Sequence, residues 1–478
     1  MITAPLHVVT GISGVILIGA CGWALSTFVP LLRAKRALLR LAWSYLLGAA
    51  FAGTALYGLS HWGGVSLRRG TILPVFLAPI AAAFWRRART DDSRPRRRPL
   101  SGLARAVCAA ALASGAAVSL AVFGDSLAGV ACGFDARMTW NPHAAFVRAA
   151  RSVDAPVLRD GGTYLHNPKY PLLLPLLQVA VQETFDTDDD ERVTRPLYAV
   201  FLPVLLLVVF DLARERVGPV AAASTVLVMS LLPVLAFEWD GGAITSYADI
   251  PLGLFWGGGL LLVMKAPWSV PEALAGALLL AAGALSKPEG LLLGGLAMAL
   301  VLVRAARRAV RMKRVRPVRA AGFAAALFLA GTLLSVSWRS AIPNRNSETW
   351  DDVTPSQLVH GLRERLPDVL HFIRIEMTRP EVWSGFWWLA PAVFVLGAPV
   401  LARPSSRPLL VAIAGALILY AAAYAASGWA PKDLVHPTWN RFLSQLAVPL
   451  YVLFAHALGD ATSLLPRPEA HRAARGTA

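Results

Sequence analysis

Long apolar runs, each close to the length of a bilayer crossing, recur along the chain and alternate with short polar breaks. A helix needs about 20 apolar residues to cross the hydrocarbon core. The pattern predicts thirteen spans, at roughly 8–31, 41–60, 71–85, 103–124, 196–213, 218–236, 250–265, 271–286, 289–303, 320–338, 386–402, 408–427 and 442–462. The fold class is therefore all-α, a polytopic transmembrane helix bundle. The span at 271–286 is the weakest, because it runs into Ser286-Lys287-Pro288-Glu289-Gly290. Charges at that depth are costly and usually face a cavity, and the Pro and Gly are expected to break the helix there. No internal repeat is evident.

Composition removes the main alternatives. Of 478 residues, 56 % are hydrophobic and 16 % charged, and the mean hydropathy is +0.54. A soluble domain carries about 25 % charged residues, so both a soluble globular protein and a disordered chain are excluded. Cys21, Cys108 and Cys132 form neither a disulfide framework nor a metal-type pair. The first apolar segment lacks a basic leading region and a small-residue cleavage site, so it is expected to stay as a helix.

The net charge of +17 has a topological explanation. Basic residues gather in alternate loops: 33–40, 86–98 with Arg96-Arg97-Arg98, 304–319, and the tail with Arg467, Arg472 and Arg475. The positive-inside rule puts these loops in the cytoplasm. The chain then reads as a multi-pass protein of the plasma (inner) membrane, N-terminus outside and C-terminus inside, with the lipid bilayer as partner and no nucleic acid. Three loops fall outside, at about 125–195, 339–385 and 428–441. The first holds Trp140, Phe146, Tyr164 and Tyr170, a pattern expected to form amphipathic helices at the interface.

The first outer loop carries the main candidates for chemistry. It opens with Gly133-Phe134-Asp135-Ala136-Arg137-Met138-Thr139-Trp140 and continues through Asn141-Pro142-His143 to His166-Asn167-Pro168-Lys169-Tyr170. An Asp at the lipid–water boundary can act as a general base, or simply be a solvated residue past a helix end. The other candidates have plain alternatives too. Lys169 would serve as an interfacial anchor, Arg441 as a helix-end charge that snorkels, and Asp249 as an N-terminal dipole or capping group. Lys287 and Glu289 would pair with each other. His143 and His166 show no zinc-type spacing. Asp186-Thr187-Asp188-Asp189-Asp190-Glu191 starts like a calcium loop but has Glu191 where Gly is needed and Leu197 where Glu is needed. It reads as a solvated acidic cluster partly neutralised by Arg192 and Arg195. No cofactor is indicated.

Five stretches together resemble the GT-C class of polytopic glycosyltransferases, in particular bacterial relatives of the family 39 and 83 enzymes. They are Asp135 within Gly-Phe-Asp-Ala, the run Tyr170 to Leu177, Tyr247-Ala248-Asp249-Ile250-Pro251-Leu252, Leu285-Ser286-Lys287-Pro288-Glu289-Gly290, and Trp439-Asn440-Arg441-Phe442-Leu443. The resemblance covers about 100–460 and divides the chain into 1–98, extra helices with a basic loop, and 99–478, the GT-C-like domain. It departs from the family where Phe134 and Ala136 flank Asp135, where His143 replaces a Lys, and where Asn440 replaces an Asp before Arg441.

The resemblance implies a glycosyltransferase that moves a sugar from a polyprenyl-phosphate donor to an envelope glycan, lipid or protein acceptor. Asp135 would be its base. Arg137, Lys169, Arg441 and Lys287 would face the phosphate, and Trp140, His143, His166, Tyr170, Tyr247, Asp249 and Glu289 would line the substrate site. A divalent cation is not required, since the phosphate already leaves well. A transporter or flippase for lipid-linked glycans is the other reading, alongside a noncatalytic envelope-assembly protein. A transporter would concentrate polar residues at mid-membrane on broken helices, whereas an enzyme would place them in the outer loops.

Overall fold

The computed structural model describes residues 4–87, 102–131, 133–160, 167–187, 190–239, 241–264, 269–313, 315–343, 354–404 and 406–463. Among the described residues the regular structure is entirely helical. The principal helices are α1 (Ala4–Ser26), α2 (Ala37–His61), α3 (Arg69–Arg87), α4 (Gly102–Ala128), α5 (Asn141–Ala150), α6 (Leu173–Phe185), α7 (Glu191–Ala199), α8 (Phe201–Ser230) and α9 (Asp249–Val263). They continue with α10 (Val270–Ala284), α11 (Glu289–Met312), α12 (Arg316–Ser340), α13 (Pro355–Glu364), α14 (Leu366–Met377), α15 (Phe386–Leu396), α16 (Arg407–Ala426), α17 (Pro431–Gln445) and α18 (Ala447–Ser463).

Each predicted span falls on a helix, but not every helix has the length of a crossing. Among the described residues, seven helical stretches can cross a membrane by length and composition, or eight if the bent pair α17–α18 is one span. The molecule is a helical, multi-pass membrane bundle. The shortfall from thirteen has physical causes. At about 1.5 Å rise per residue, the 15-residue α9 and α10 and the 11-residue α15 fall short of a core roughly 30 Å thick. Every residue of α9 is buried, so its apolarity answers to protein neighbours and not to lipid. The helix α3 carries arginines at both ends and Pro74 and Pro79 within it.

The stretch Glu191–Ser230 counts as one crossing by length, yet it doubles back. Leu206 and Val226 both lie within 4 Å of where a Cβ on Gly115 would stand. The reversal is at Gly218, with φ 82° and ψ 174°, followed by Pro219. Only glycine enters that region of backbone space without strain, and Pro cannot continue the preceding hydrogen-bond ladder. This restores the two predicted segments 196–213 and 218–236 as separate arms.

Helices α1 and α2 meet along a stripe of small residues. A Cβ on Gly22 would stand 1.7 Å from the Ser44 carbonyl oxygen, and one on Gly48 would stand 2.0 Å from that of Ile18. Such backbone approach is how apolar helices associate without a hydrophobic gradient between them. Backbone atoms cannot step aside, so Gly48→Ala should destabilise the bundle by about 1–3 kcal/mol. Thermal unfolding of the detergent-solubilised protein measures this, and an unchanged melting curve would contradict the packing. Residues 4–87 share one hydrophobic core with the rest of the described chain, through Ile18, Trp43 and Tyr57.

Two sequence expectations need correction. The loop expected at 428–441 is helical, as α17. Val435, Trp439 and Phe442 form its buried stripe, and Pro431 sits in its first turn. In the first outer loop, α5 is amphipathic as expected, with His143, Ala144 and Val147 buried on one side. Helix α6 is instead buried throughout Leu173–Gln182, with the Gln178 amide donating to the Tyr198 hydroxyl at 2.7 Å. The Leu173 N–H donates to the Leu285 carbonyl at 2.9 Å, which stitches the first loop to the α10–α11 break.

The two ends of the bundle differ in charge. Lys35 pairs with Asp211 and Glu215, and Arg33, Arg40, Arg86 and the arginines at the end of α11 sit at that same end. The opposite end gathers the long loops. There Arg195 pairs with Asp125 at 2.5 Å, and the Trp338 indole N–H donates to the Val153 carbonyl at 2.9 Å.

Candidate functional site

Three helix breaks converge at the loop end. The first is the start of α9, just after Ser246 in the left-handed region with φ 59°. The second is the non-helical stretch 285–288, where Pro288 precedes the first residue of α11. The third is the 64° bend between α17 and α18. Broken helices leave backbone and side-chain polar groups facing inward, and such breaks survive at membrane depth only where protein or a cavity meets them.

Asp249 is the hub and is fully buried. Its Oδ1 accepts from Lys287 Nζ at 2.7 Å and from Gln445 Nε2 at 2.6 Å. Its Oδ2 accepts from Arg441 Nε at 3.1 Å. The other arm of the Arg441 guanidinium pairs with Asp135. The Asp135 backbone N–H donates to the Tyr247 hydroxyl at 3.1 Å, and the Arg441 guanidinium lies 4.6 Å from the Tyr247 ring centre. Gly241 makes room for this arginine. Its φ is 123°, and a Cβ there would meet Arg441 Cγ at 2.7 Å.

A second layer fixes the hub. The Tyr420 hydroxyl donates to Gln445 Oε1 at 2.7 Å, which sets the direction of the amide. The Tyr420 ring stacks on Phe442 with centres 4.3 Å apart. Lys287 also stands 3.5 Å from Glu289 Oε1, while Glu289 Oε2 is buried with no hydrogen-bond partner among the described residues. Tyr170 packs against Trp140 with ring centres 5.5 Å apart. Burial pushes its phenol well above the ordinary range, and the negative charges of Glu289 and Asp135 push the same way. Tyr170 therefore remains a neutral hydroxyl group.

The cluster holds three carboxylates and two cations out of water. Removing charge from water costs several kcal/mol per ion, and mutual pairing only partly offsets that. Intramembrane charges of this kind are a functional-site signal. Chemically, the arrangement offers two cations for an anionic group and carboxylates able to take a proton.

The sequence candidates divide accordingly. Asp135, Tyr247, Asp249, Lys287, Glu289 and Arg441 come together, with Tyr170 beside them and Trp140 behind it. His143 is buried on α5, and Lys169 is half-buried next to Tyr170. Arg137 is exposed and outside the cluster, because the short π-helical turn Ala136–Trp140 points it away. His166 lies outside the described residues. Asp249 is not a capping group, and Arg441 does not snorkel to water, since both are committed to ion pairs. The closer partner of Lys287 is Asp249, not Glu289.

The acidic run 186–191 has local structural duties. Asp190 caps α7, and its carboxylate is held low by the side-chain hydrogen bond from Arg192. Glu191 accepts from the Ala131 N–H at 3.0 Å and from Asn141 Nδ2 at 2.6 Å. Arg195 pairs with Asp125 and with none of the described residues of this run. Asp188 and Asp189 lie outside the described residues. Among the described residues no group of three or more His, Cys, Asp or Glu is placed to hold a metal ion.

Sequence reasoning missed Gln445 and Tyr420. A Gln four residues after Arg441, within an apolar run, was the available signal. It also missed a second network, where Glu376 accepts from Arg379 Nη1 at 2.9 Å and from Asn440 Nδ2 at 3.2 Å. The Trp383 indole N–H donates to Asn440 Oδ1 at 3.0 Å, so the residue before Arg441 ties α17 both to Glu376 on α14 and to the turn that follows it. Comparison of the chain with protein-family models, with curated proteins and with solved structures finds no match in any of the three.

Proposed function

We propose that this protein is an integral-membrane glycosyltransferase that moves a sugar from a polyprenyl-phosphate donor to an envelope acceptor, at the face opposite the basic end. The observation that carries the reading is the buried chain Asp135–Arg441–Asp249–Lys287, built from stretches far apart in sequence. Of these, the GT-C resemblance selects Asp135 as base and Arg441 and Lys287 for phosphate contact, with Asp249 lining the site. With the basic loops cytoplasmic, the site faces outward, where nucleotide sugars are absent and a lipid-carried donor is needed.

The steps follow from the charges. The donor phosphate takes hydrogen bonds from Arg441 and Lys287, and Arg441 is thereby drawn from Asp135. Asp135 accepts the proton of the acceptor hydroxyl as that oxygen bonds to the anomeric carbon. The bond from the anomeric carbon to the phosphate oxygen breaks, and the lipid phosphate leaves with the electron pair. The two cations are aimed where negative charge grows, which is the condition for electrostatic catalysis. Asp249 positions the cations, Gln445 positions Asp249, and neither touches a reacting atom.

The test is transfer by the purified protein, given a panel of radiolabelled polyprenyl-phosphate sugars and envelope acceptor. Label moved to acceptor supports the reading, and no transfer from any donor by folded protein overturns it. One observation favours the second reading, a transporter of lipid-linked glycans. Lys287 sits at the break between α10 and α11, and Arg441 lies one turn before the bend between α17 and α18, as in transporters built on discontinuous helices. Movement of a labelled lipid-linked glycan across reconstituted vesicles, without transfer, would select it.

A further inference from the structure

A second feature lies at the basic end, away from the charged cluster. Helices α1, α2, α3 and the start of α8 enclose a groove of about 950 Å³. Its walls are apolar along most of its length, with Val15, Ile16, Tyr45, Ile80, Val204 and Leu207 among them. Arg33, Arg40 and Arg86 line its basic end. Phe84 and Ile16 are largely exposed, at 80 % and 63 %, so the groove opens sideways to the bilayer. The volume is at the upper end of ordinary small-molecule sites.

The arginines are set as a cationic rim. Arg40 is fixed by hydrogen bonds to Ser26 Oγ at 2.7 Å and the Trp23 carbonyl at 3.3 Å, with its guanidinium 4.1 Å from the Trp23 ring centre. Arg86 lies 5.0 Å from the Phe28 ring centre. Among the described residues no carboxylate pairs with Arg33 or Arg86. Nearby Lys35, by contrast, is neutralised by Asp211 and Glu215. A neighbouring acid therefore answers one cation and leaves the rim of the groove positive. An amphiphile with apolar tails and an anionic head matches the groove in shape, depth and charge.

We propose that this groove is a binding site for an anionic phospholipid of the leaflet at the basic end, tails along α1 and α8 and headgroup phosphate at Arg33 and Arg86. Basic clefts between membrane helices on the cytoplasmic side recognise lipid phosphates by this combination of charge and apolar depth. Gly19 gives the groove its floor. A Cβ there would meet no heavy atom within 4 Å, so a larger side chain would enter empty space and displace a tail. The proposal is independent of the reaction assigned to the other end.

Native mass spectrometry of the full chain in detergent tests it, with phosphatidylglycerol, phosphatidylcholine, polyprenyl phosphate and inorganic phosphate as probes. Wild type should retain phosphatidylglycerol over phosphatidylcholine. Arg33→Gln with Arg86→Gln should weaken retention about thirtyfold. Gly19→Phe should block retention with the arginines intact, and elution as a single monodisperse species establishes that each variant is folded. Equal retention of the two phospholipids, or unchanged retention in both variants, overturns the proposal. So does tighter binding of polyprenyl phosphate, or of phosphate alone, than of phosphatidylglycerol.

Discussion

Asp135→Asn should abolish sugar transfer while leaving the protein folded, with a rate loss of about 10²–10⁴-fold, the usual contribution of a positioned general base. The substitution is well suited to the question. The backbone N–H of residue 135, not its carboxylate, bonds to Tyr247, so the anchoring of this turn survives. Arg441 keeps its second carboxylate partner, Asp249. The amide is nearly the same size as the carboxylate and accepts one hydrogen bond from the guanidinium, but it cannot take the acceptor proton. The measurement is single-turnover transfer from a saturating donor, with donor binding followed separately. A folded variant that binds donor and transfers at the wild-type rate would remove Asp135 from the role of base. Glu289 would then be the carboxylate to test, because its buried Oε2 has no partner among the described residues.

Much of this site was legible in the sequence, for a specific reason. A charge inside or beside an apolar run is conspicuous, and Asp135, Asp249, Lys287 and Arg441 all stand out in that way. Their convergence was not legible, because pairing across 306 positions depends on how the helices pack. Gln445 and Tyr420 are uncharged and do not stand out in this way; the place of Gln445 four residues after Arg441 was the one cue. The helical character of the fold was readable from run length. The number of crossings was not, because hydropathy cannot tell a helix buried by protein from one buried by lipid. Helix α9 is the clearest case, apolar and wholly enclosed yet only 15 residues long. The loop at 428–441 misled for the opposite reason, since α17 is polar on one side and contains Pro437.

Asp249→Ala should be the most destabilising single change in the cluster. Asp249 accepts three hydrogen bonds and is the common partner of both cations. Its loss leaves Lys287, 2 % exposed, with Glu289 at 3.5 Å as its one carboxylate partner among the described residues. Breaking a buried pair in this way costs about 3–5 kcal/mol, mostly as the penalty for a stranded charge. Removing the stranded charge as well should therefore recover stability. The double variant Asp249→Ala, Lys287→Met should be more stable than Asp249→Ala alone, even though it contains one more substitution. Equilibrium unfolding in mixed detergent across the four-member cycle reads that coupling. Additive losses would mean that the two groups do not share one electrostatic site. The same double variant should still fail in transfer, since it lacks a cation for the donor phosphate. A protein that regains its fold and not its activity would separate what the cluster does for the bundle from what it does for the substrate.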